Sequence, residues 1–266
     1  MGSYPINVVM RNGKVNVAQN FRALSLLSFT NDAISFSFPD SNVIEITEDH
    51  SNISLINGIN EGDIVGVFIR EDYKLLHVEN MNVLDIGANI GDSSLWFAIK
   101  GASRVYAVEP FPAVYNILVK NIELNSMNEI IFPINAAISP EKGAVKLNSN
   151  IETTLALKAE QDPSGDTIIK KIPISEIVGN YVGERGWVLK LDCEGCEYEL
   201  LELAPESIGI FTELIMEYHH SDPEPLLRVL FKQGFKAYVI KKEKIKPKKH
   251  ITSKQGYGLI YAKKVK

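Results

Sequence analysis

Two apolar runs of this 266-residue chain end in side chains able to move a proton or hold a cation. One is WVLKL, followed by Asp192, Cys193 and Glu194; the other is FTELIM, followed by Glu217, Tyr218, His219 and His220. In an extended strand alternate residues share a face, so Lys190, Asp192 and Glu194 line one side while the strand lasts. If the two runs are adjacent strands, Asp192 and His219 come close, with Glu194 and Glu217 flanking them. A carboxylate or an imidazole can take the proton of an acceptor hydroxyl. Asp192 and His219 are the first choices for that base, with Glu194, Glu217 and His220 behind them. The same donors can hold Mg²⁺ through carboxylates, or a softer ion when histidine is included. No compact HxxxD or HExxH spacing marks a metal site, so a divalent ion stays an open possibility and its ligands stay unknown. The bland alternative is that the histidines only bond to loop carbonyls at a strand end. A charged residue after WVLKL needs a partner in any case, and Lys190 is a candidate.

A second group of residues explains what such a base would serve. VLDIGANIGDSSLWF, residues 83–97, reads as an apolar strand, a glycine turn and a helix. RVYAVEPF, residues 104–111, is a second strand that ends in Glu109. A dinucleotide site would need GxGxxG, but Asn89 stands where the second glycine belongs and Asp92 where the third belongs. Asp85, Asp92 and Glu109 also make a poor neighbourhood for phosphate oxygens. A cationic, phosphate-free nucleoside fits better, namely S-adenosylmethionine with its sulfonium and ammonium groups. Gly87 then permits close passage under the ligand, and Asp85 faces the ammonium directly or through water. Glu109 accepts from both ribose hydroxyls, which suits a group that offers only acceptors.

The remaining elements form a frame for these residues. From Val83 onward, strand-like runs alternate with helical ones, which predicts an α/β fold with a mostly parallel sheet. DSSLWFAIK is a helix stopped at Gly101, and AVYNILVKNIEL places Val114, Leu118 and Ile122 on one face, beside Ile117. IIFPINAAI reads as a third strand, with Pro133 awkward within it. Residues 144–176 interrupt the rhythm and read as an inserted hairpin around DPSGD. In DPEPLLRVLFKQG, Asp222 is the cap, Pro223 the first position and Gly234 the exit. KAYVIKK and GYGLIYAKK close the chain as an antiparallel pair joined by a lysine-rich loop. Residues 1–79 differ: GKVNV, AISFSF, VIEITE and ISLINGI are short, often alternating strands, which predicts a β-rich subdomain or lid. The remainder, 80–266, is the cofactor-binding domain on this reading.

VLDIGANIGDSS, VYAVEPFPAVYNILVKNIELN, INAAIS and LKLDCEGCEYELL together resemble the FkbM-type family of S-adenosylmethionine-dependent methyltransferases. The similarity covers most of residues 80–240 and is much more specific than any single motif. It implies a class I, Rossmann-like fold with a seven-stranded sheet containing one antiparallel strand, and methyl transfer, usually to a hydroxyl oxygen of a sugar or natural product. By that resemblance Asp85, Gly87, Ala88, Asn89 and Gly91 form the cofactor loop, Glu109 and Pro110 hold the ribose side, and Asn135 and Ala136 lie near the adenine edge.

Composition narrows the alternatives. With 45% hydrophobic and 23% charged residues, the chain is ordinary for a soluble domain. It shows no membrane-length apolar run and no signal-peptide pattern at its start, which predicts a cytoplasmic protein. The net charge of −5 hides an asymmetry: residues 241–266 carry ten lysines against one glutamate. That basic tract has no interleaved aromatics, so a solvated hairpin and tail is expected rather than a nucleic-acid surface. Absence of an NPPY-like turn weakens transfer to a base nitrogen. An RNA methyltransferase, a non-catalytic docking module and, further back, an NAD-dependent oxidoreductase remain as alternatives. Cys193 and Cys196 are too few for a zinc site, and acids around them disfavour a reactive thiolate. Both are expected as small buried fillers. Tyr73, Trp96, Phe111 and Tyr115 are candidates for a stacking wall or for core.

Overall fold

The computed structural model describes residues 4–10, 13, 15–58, 62–147, 167–180, 186–193, 196–219, 222–244 and 256–265. Its N-terminal part opens with a two-stranded ribbon, β1 (Ile6–Val9) and β2 (Val15–Ala18). Helix α1 (Phe21–Leu27) follows, an addition to the strands read from sequence. Asn20 caps it by accepting from the Ala23 amide at 2.9 Å, as short polar side chains do at helix starts. Strands β3 (Ile34–Ser37), β4 (Val43–Glu48) and β5 (Ser51–Ile56) then form an antiparallel meander. Strict alternation in β4 buries Ile44, Ile46 and Glu48 and exposes Glu45 and Thr47. Burying each such isoleucine contributes roughly 1.5–3 kcal/mol. A π-helical turn, Val65–Ile69, leads toward the main sheet.

That sheet has seven strands. Along the chain come β6 (Asn82–Ile86), α2 (Asp92–Ile99), β7 (Arg104–Val108), α3 (Pro112–Leu124) and β8 (Ile131–Ile134). Next are β9 (Ala137–Ile138), β10 (Gly143–Leu147), β11 (Thr167–Ile172) and α4 (Ile174–Asn180). The run ends with β12 (Trp187–Leu191), α5 (Cys196–Leu203), β13 (Phe211–Tyr218), α6 (Glu224–Lys232), β14 (Phe235–Lys244) and β15 (Gly256–Lys264). The spatial order is β14-β15-β13-β12-β6-β7-β8, and β15 alone runs antiparallel to its neighbours. This is the class I methyltransferase sheet expected from the sequence. Strand order reverses between β6 and β12, and the carboxyl ends beside such a switch form the ligand crevice of open α/β sheets.

Pro133 is accommodated because β8 is an edge strand, bonded only to β7, where a missing amide breaks no second ladder. IIFPINAAI is not one strand, however. It divides after Ile134, and β9 joins a separate sheet of order β10-β11-β9. The break falls at Asn135, whose side-chain amide donates to the carbonyls of Glu109 at 2.9 Å and Pro110 at 3.0 Å. The arms of the inserted hairpin pair as β10 and β11, while its DPSGD tip lies outside the described residues. So does most of the lysine-rich loop. Among the described residues, no helix is long and apolar enough to cross a membrane.

One apolar core runs from Ile44 and Leu55 of the meander through Phe68 and Tyr73 to Val83, Leu95 and Val105. The meander is also stitched to α3 by polar groups. Asn121 Oδ1 accepts from the Ile56 amide at 2.7 Å and Asn125 Oδ1 from the Ser54 amide at 2.8 Å. Their amides return bonds to the carbonyls of Ile56 at 3.2 Å and Ser54 at 2.7 Å. One turn apart on a helix, the two asparagines satisfy the outer backbone groups of β5 much as another strand would.

Candidate active site

The glycine turn after β6 is shaped by close approaches. Gly87 has φ +77°, and a Cβ placed there would stand 1.7 Å from the carbonyl oxygen of Asp192. Only glycine fits, and this contact locks the turn to the end of β12. Asn89 is left-handed at φ +48°, a conformation asparagine tolerates better than most residues. Gly91, at φ +96°, begins α2, with Leu118 of α3 packed where its side chain would be.

Parallel register places Lys190 directly beside Asp85 across β12 and β6. Both side chains are buried, and Lys190 Nζ lies 3.1 Å from Asp85 Oδ1. Asp85 Oδ2 accepts from the hydroxyls of Ser93 at 2.7 Å and Ser94 at 2.6 Å, and Lys190 donates to the Gly87 carbonyl at 2.7 Å. Asp85 therefore anchors the first turn of α2 and fixes the lysine under the glycine turn. Burial works to lower the lysine's pKa, but Asp85 and Asp192 together carry it above the ordinary value. The ammonium also lies 5.8 Å from the Tyr73 ring, so a residue from the N-terminal 79 reaches the edge of the site.

Glu109 stands at the carboxyl end of β7. Its Oε2 accepts from the Asn89 amide at 3.0 Å and its Oε1 from the Phe111 amide at 2.9 Å. The two bonds tie the glycine turn to the following loop, and each oxygen keeps a second lone pair. Burial is the largest influence and raises its pKa to about 7, against the two backbone amides and Lys190. Pro110 lies next to it, half-buried, and Ala136 is fully buried behind the loop. Asp92 is also buried. It accepts from the Asp63 amide at 2.6 Å, and burial with the neighbouring Asp63 charge raises it to about 6.

The second constellation is assembled by β12 and β13. Leu191 pairs with Met216, so Asp192 just past the end of β12 lies beside the last residues of β13, which continues to Tyr218. Ligand atoms of Asp192, Glu217 and His219 all lie within 4.8 Å of one another. Burial pushes the Asp192 carboxyl upward, opposed by Lys190 and His219. Glu194 and His220 lie outside the described residues.

A residue that the sequence reading missed completes the cluster. Glu197 is wholly buried on the first turn of α5, and its Oε1 is 3.0 Å from Nδ1 of His219. A carboxylate there favours the tautomer with the proton on Nδ1, and the contact sets the ring's orientation. The signal was present in CEGCEYE as an acid at a helix start, but its inward direction follows only from how α5 packs. The cysteines also differ from expectation. They are not separate fillers but a disulfide, Cys193–Cys196, with Cα atoms 5.4 Å apart. That Cα separation is within the ordinary bridging range, and the bond ties the residue after Asp192 to the first residue of α5. Of the proposed aromatic wall, Tyr73 and Trp96 are buried in the core, whereas Phe111 and Tyr115 are half-buried.

Solved structures match this chain at low identity. TYW2 of M. jannaschii, determined with AdoMet, matches with a TM-score of 0.45 and 19% identity over 88% of this chain and 94% of that one. Precorrin-6y C5,15-methyltransferase of Geobacter metallireducens matches with a TM-score of 0.42 and 13% identity over 72% and 83%. Among characterised proteins, the hexuronic acid methyltransferase AglP of Haloferax volcanii is 26% identical over 173 residues, 64% of this chain and 67% of that protein. The model of the methyltransferase FkbM domain matches residues 85–237, which include the glycine turn, Glu109 and the Asp192–Glu217–His219 cluster. The chain belongs to the FkbM family of S-adenosylmethionine-dependent methyltransferases.

Proposed function

We propose that the protein transfers the methyl group of S-adenosylmethionine to a hydroxyl oxygen of a sugar or a small natural product, with a sugar acid as the first candidate acceptor. The observation that carries this reading is the Asp192–Glu217–His219 cluster beside the glycine turn. The sulfonium already activates the methyl carbon, so the protein's work is alignment and exclusion of water. What an alcohol acceptor adds is a proton of very high pKa, which a base must take or a metal must make acidic. Asp192 and His219 are the proposed bases, with Glu217 beside them and Glu194 as a further candidate. The Glu197 contact supports His219, because it orients the ring and stabilises its protonated form.

Gly87, Ala88, Asn89 and Gly91 would pass beneath the cofactor, and Asp85 would act on its ammonium through the turn it organises. Glu109 and Pro110 would meet the ribose, while Asn135 and Ala136 would border the adenine. The hexuronic acid relative supports a carbohydrate acceptor. Residues 1–79 would close the acceptor side, a reading supported by the Tyr73 ring 5.8 Å from the Lys190 ammonium.

The test is transfer from methyl-labelled S-adenosylmethionine to a panel of hexuronic acids, neutral sugars and phenols, with total RNA in parallel. Base-stable label in a hydroxylated acceptor is expected. Asp192→Asn or His219→Gln should lower kcat by about 10²–10⁴-fold with cofactor affinity kept. Label found only in RNA, or in base-labile esters, would overturn the assignment to a hydroxyl oxygen.

A further inference from the structure

We infer that Asp192, Glu217 and His219 form a binding site for a first-row divalent cation, with Glu197 as the residue that sets the histidine for coordination. The inference deepens the proposed transfer, since the ion would sit where the acceptor hydroxyl must be deprotonated. Three observations carry it.

First, the donor atoms converge from two adjacent strand ends to within 4.8 Å of one another, the spacing of ligands around one ion. Second, Glu197 engages Nδ1 of His219 at 3.0 Å from a fully buried position, which assigns coordination to Nε2. A carboxylate behind the distal nitrogen is how metal-bound imidazoles are commonly fixed in tautomer and direction. Third, Lys190 is committed to Asp85 at 3.1 Å and stands 4.0 Å from Asp192, so the Asp192 carboxylate can turn to a divalent cation.

Donor chemistry narrows the ion. Two carboxylates and one imidazole form a borderline set that suits Mn²⁺, Fe²⁺ or Co²⁺ better than Mg²⁺ or Ca²⁺, which favour all-oxygen shells. The adjacent sulfurs are joined to each other in the disulfide and so are not thiolate donors. With three protein ligands, positions remain for oxygens of the acceptor, most simply a vicinal diol or a hydroxy acid. In the reaction the acceptor O–H bond breaks and its proton passes to water. The oxygen lone pair forms the new C–O bond while the C–S bond breaks, its electron pair staying on sulfur. Products are the methyl ether, neutral S-adenosylhomocysteine and one proton, so no oxidant or reductant is needed.

The experiment uses the full chain with its disulfide intact and reads Mn²⁺ binding from the loss of the free-ion paramagnetic resonance signal. Cofactor binding is measured separately by calorimetry. One Mn²⁺ per chain is expected, displaced by Co²⁺ and much less readily by Mg²⁺. Binding should be lost in Glu217→Gln and in His219→Ala, and weakened about 10–100-fold in Glu197→Gln, while circular dichroism and cofactor affinity stay unchanged. Absence of Mn²⁺ binding to the wild type, binding that survives both ligand variants, or equal preference for Mg²⁺ would each overturn the site. Undiminished transfer in EDTA without bound Mn²⁺ removes the site but leaves the methyltransferase reading, with His219 as base. Stoichiometric Mn²⁺ without any transfer to hydroxyls keeps the site and removes that acceptor assignment.

Discussion

If Glu109 meets the ribose as proposed, it would make the affinity for S-adenosylmethionine depend on pH in a calculable way. Its pKa is raised from 4.5 to about 7, chiefly by burial. A carboxyl whose folded pKa exceeds its unfolded one binds its proton more tightly when folded. The stabilisation that this gives is fully present below pH 4.5 and is lost as pH rises through about 7. From the shift, the loss is on the order of 3 kcal/mol in the protein without cofactor. In the proposed site two ribose hydroxyls would donate to Glu109 and favour the ionised carboxylate, so binding would be coupled to proton release. If only the carboxylate form binds, the competent fraction is roughly 0.1 at pH 6 and 0.9 at pH 8, a difference of about tenfold in affinity.

The replacement Glu109→Gln keeps the shape but turns one acceptor into a donor facing the amide of Asn89 or Phe111. That mismatch lowers stability, while loss of a charge-assisted bond to a ribose hydroxyl costs about 1.5–3 kcal/mol, so affinity at pH 8 should fall roughly 10–150-fold. Calorimetry from pH 6 to pH 8, in buffers of different ionisation enthalpy, measures both affinity and protons released. The variant retains the titrations of the cofactor's own amine and of Asp92, so subtracting its slope isolates Glu109. A wild-type slope equal to the variant's would refute the argument, even if both proteins bound the cofactor well.

Other expectations follow from the same contacts. Gly87→Ala should abolish cofactor binding and lower the melting temperature, because its Cβ would overlap the Asp192 carbonyl; unchanged calorimetric affinity would contradict the close approach. Lys190→Met removes the cation from a fully buried pair and should cost about 3–5 kcal/mol in denaturant unfolding. The double variant Lys190→Met with Asp85→Leu should recover much of that loss, and no recovery would show that the lysine's cost has another origin. Reduction of Cys193–Cys196 should loosen the segment between Asp192 and Glu197, so hydrogen exchange at the start of α5 should rise while β6 stays protected.

What could be read in advance was whatever depends on near neighbours in the chain. The strand, glycine turn and helix at 83–97 and the acid ending 104–109 follow from local periodicity and backbone freedom. The sheet register then delivered Asp192, Glu217 and His219 to one place, because Leu191 at the end of β12 pairs with Met216 and the acids and histidine follow directly. Glu197 was not legible, since its direction depends on the roll of α5 over the sheet. The Asp85–Lys190 pair was hidden for a related reason: Lys190 was matched with Asp192, two residues along, whereas lateral register gives it to Asp85 on the neighbouring strand. The disulfide escaped because acids around a CxxC argue against a reactive thiolate and say nothing about how tightly the backbone turns.

The asparagine stitch between α3 and β5 has a consequence for regulation. Asn121 does more than hold the meander, for its amide also donates to the Ile90 carbonyl at 2.8 Å, inside the glycine turn. Asp92, at the turn's exit, receives the Asp63 amide from the other side. The N-terminal strands and the cofactor loop thus share two hydrogen-bonded joints, and neither can be displaced without disturbing the other. Thermodynamic linkage then runs both ways with equal magnitude. A ligand that favours the docked position of the N-terminal strands would tighten the hold on a cofactor bound at the proposed site, and the cofactor would return the same free energy to that encounter. If residues 1–79 close the acceptor side as proposed, the two asparagines would couple the binding of donor and acceptor.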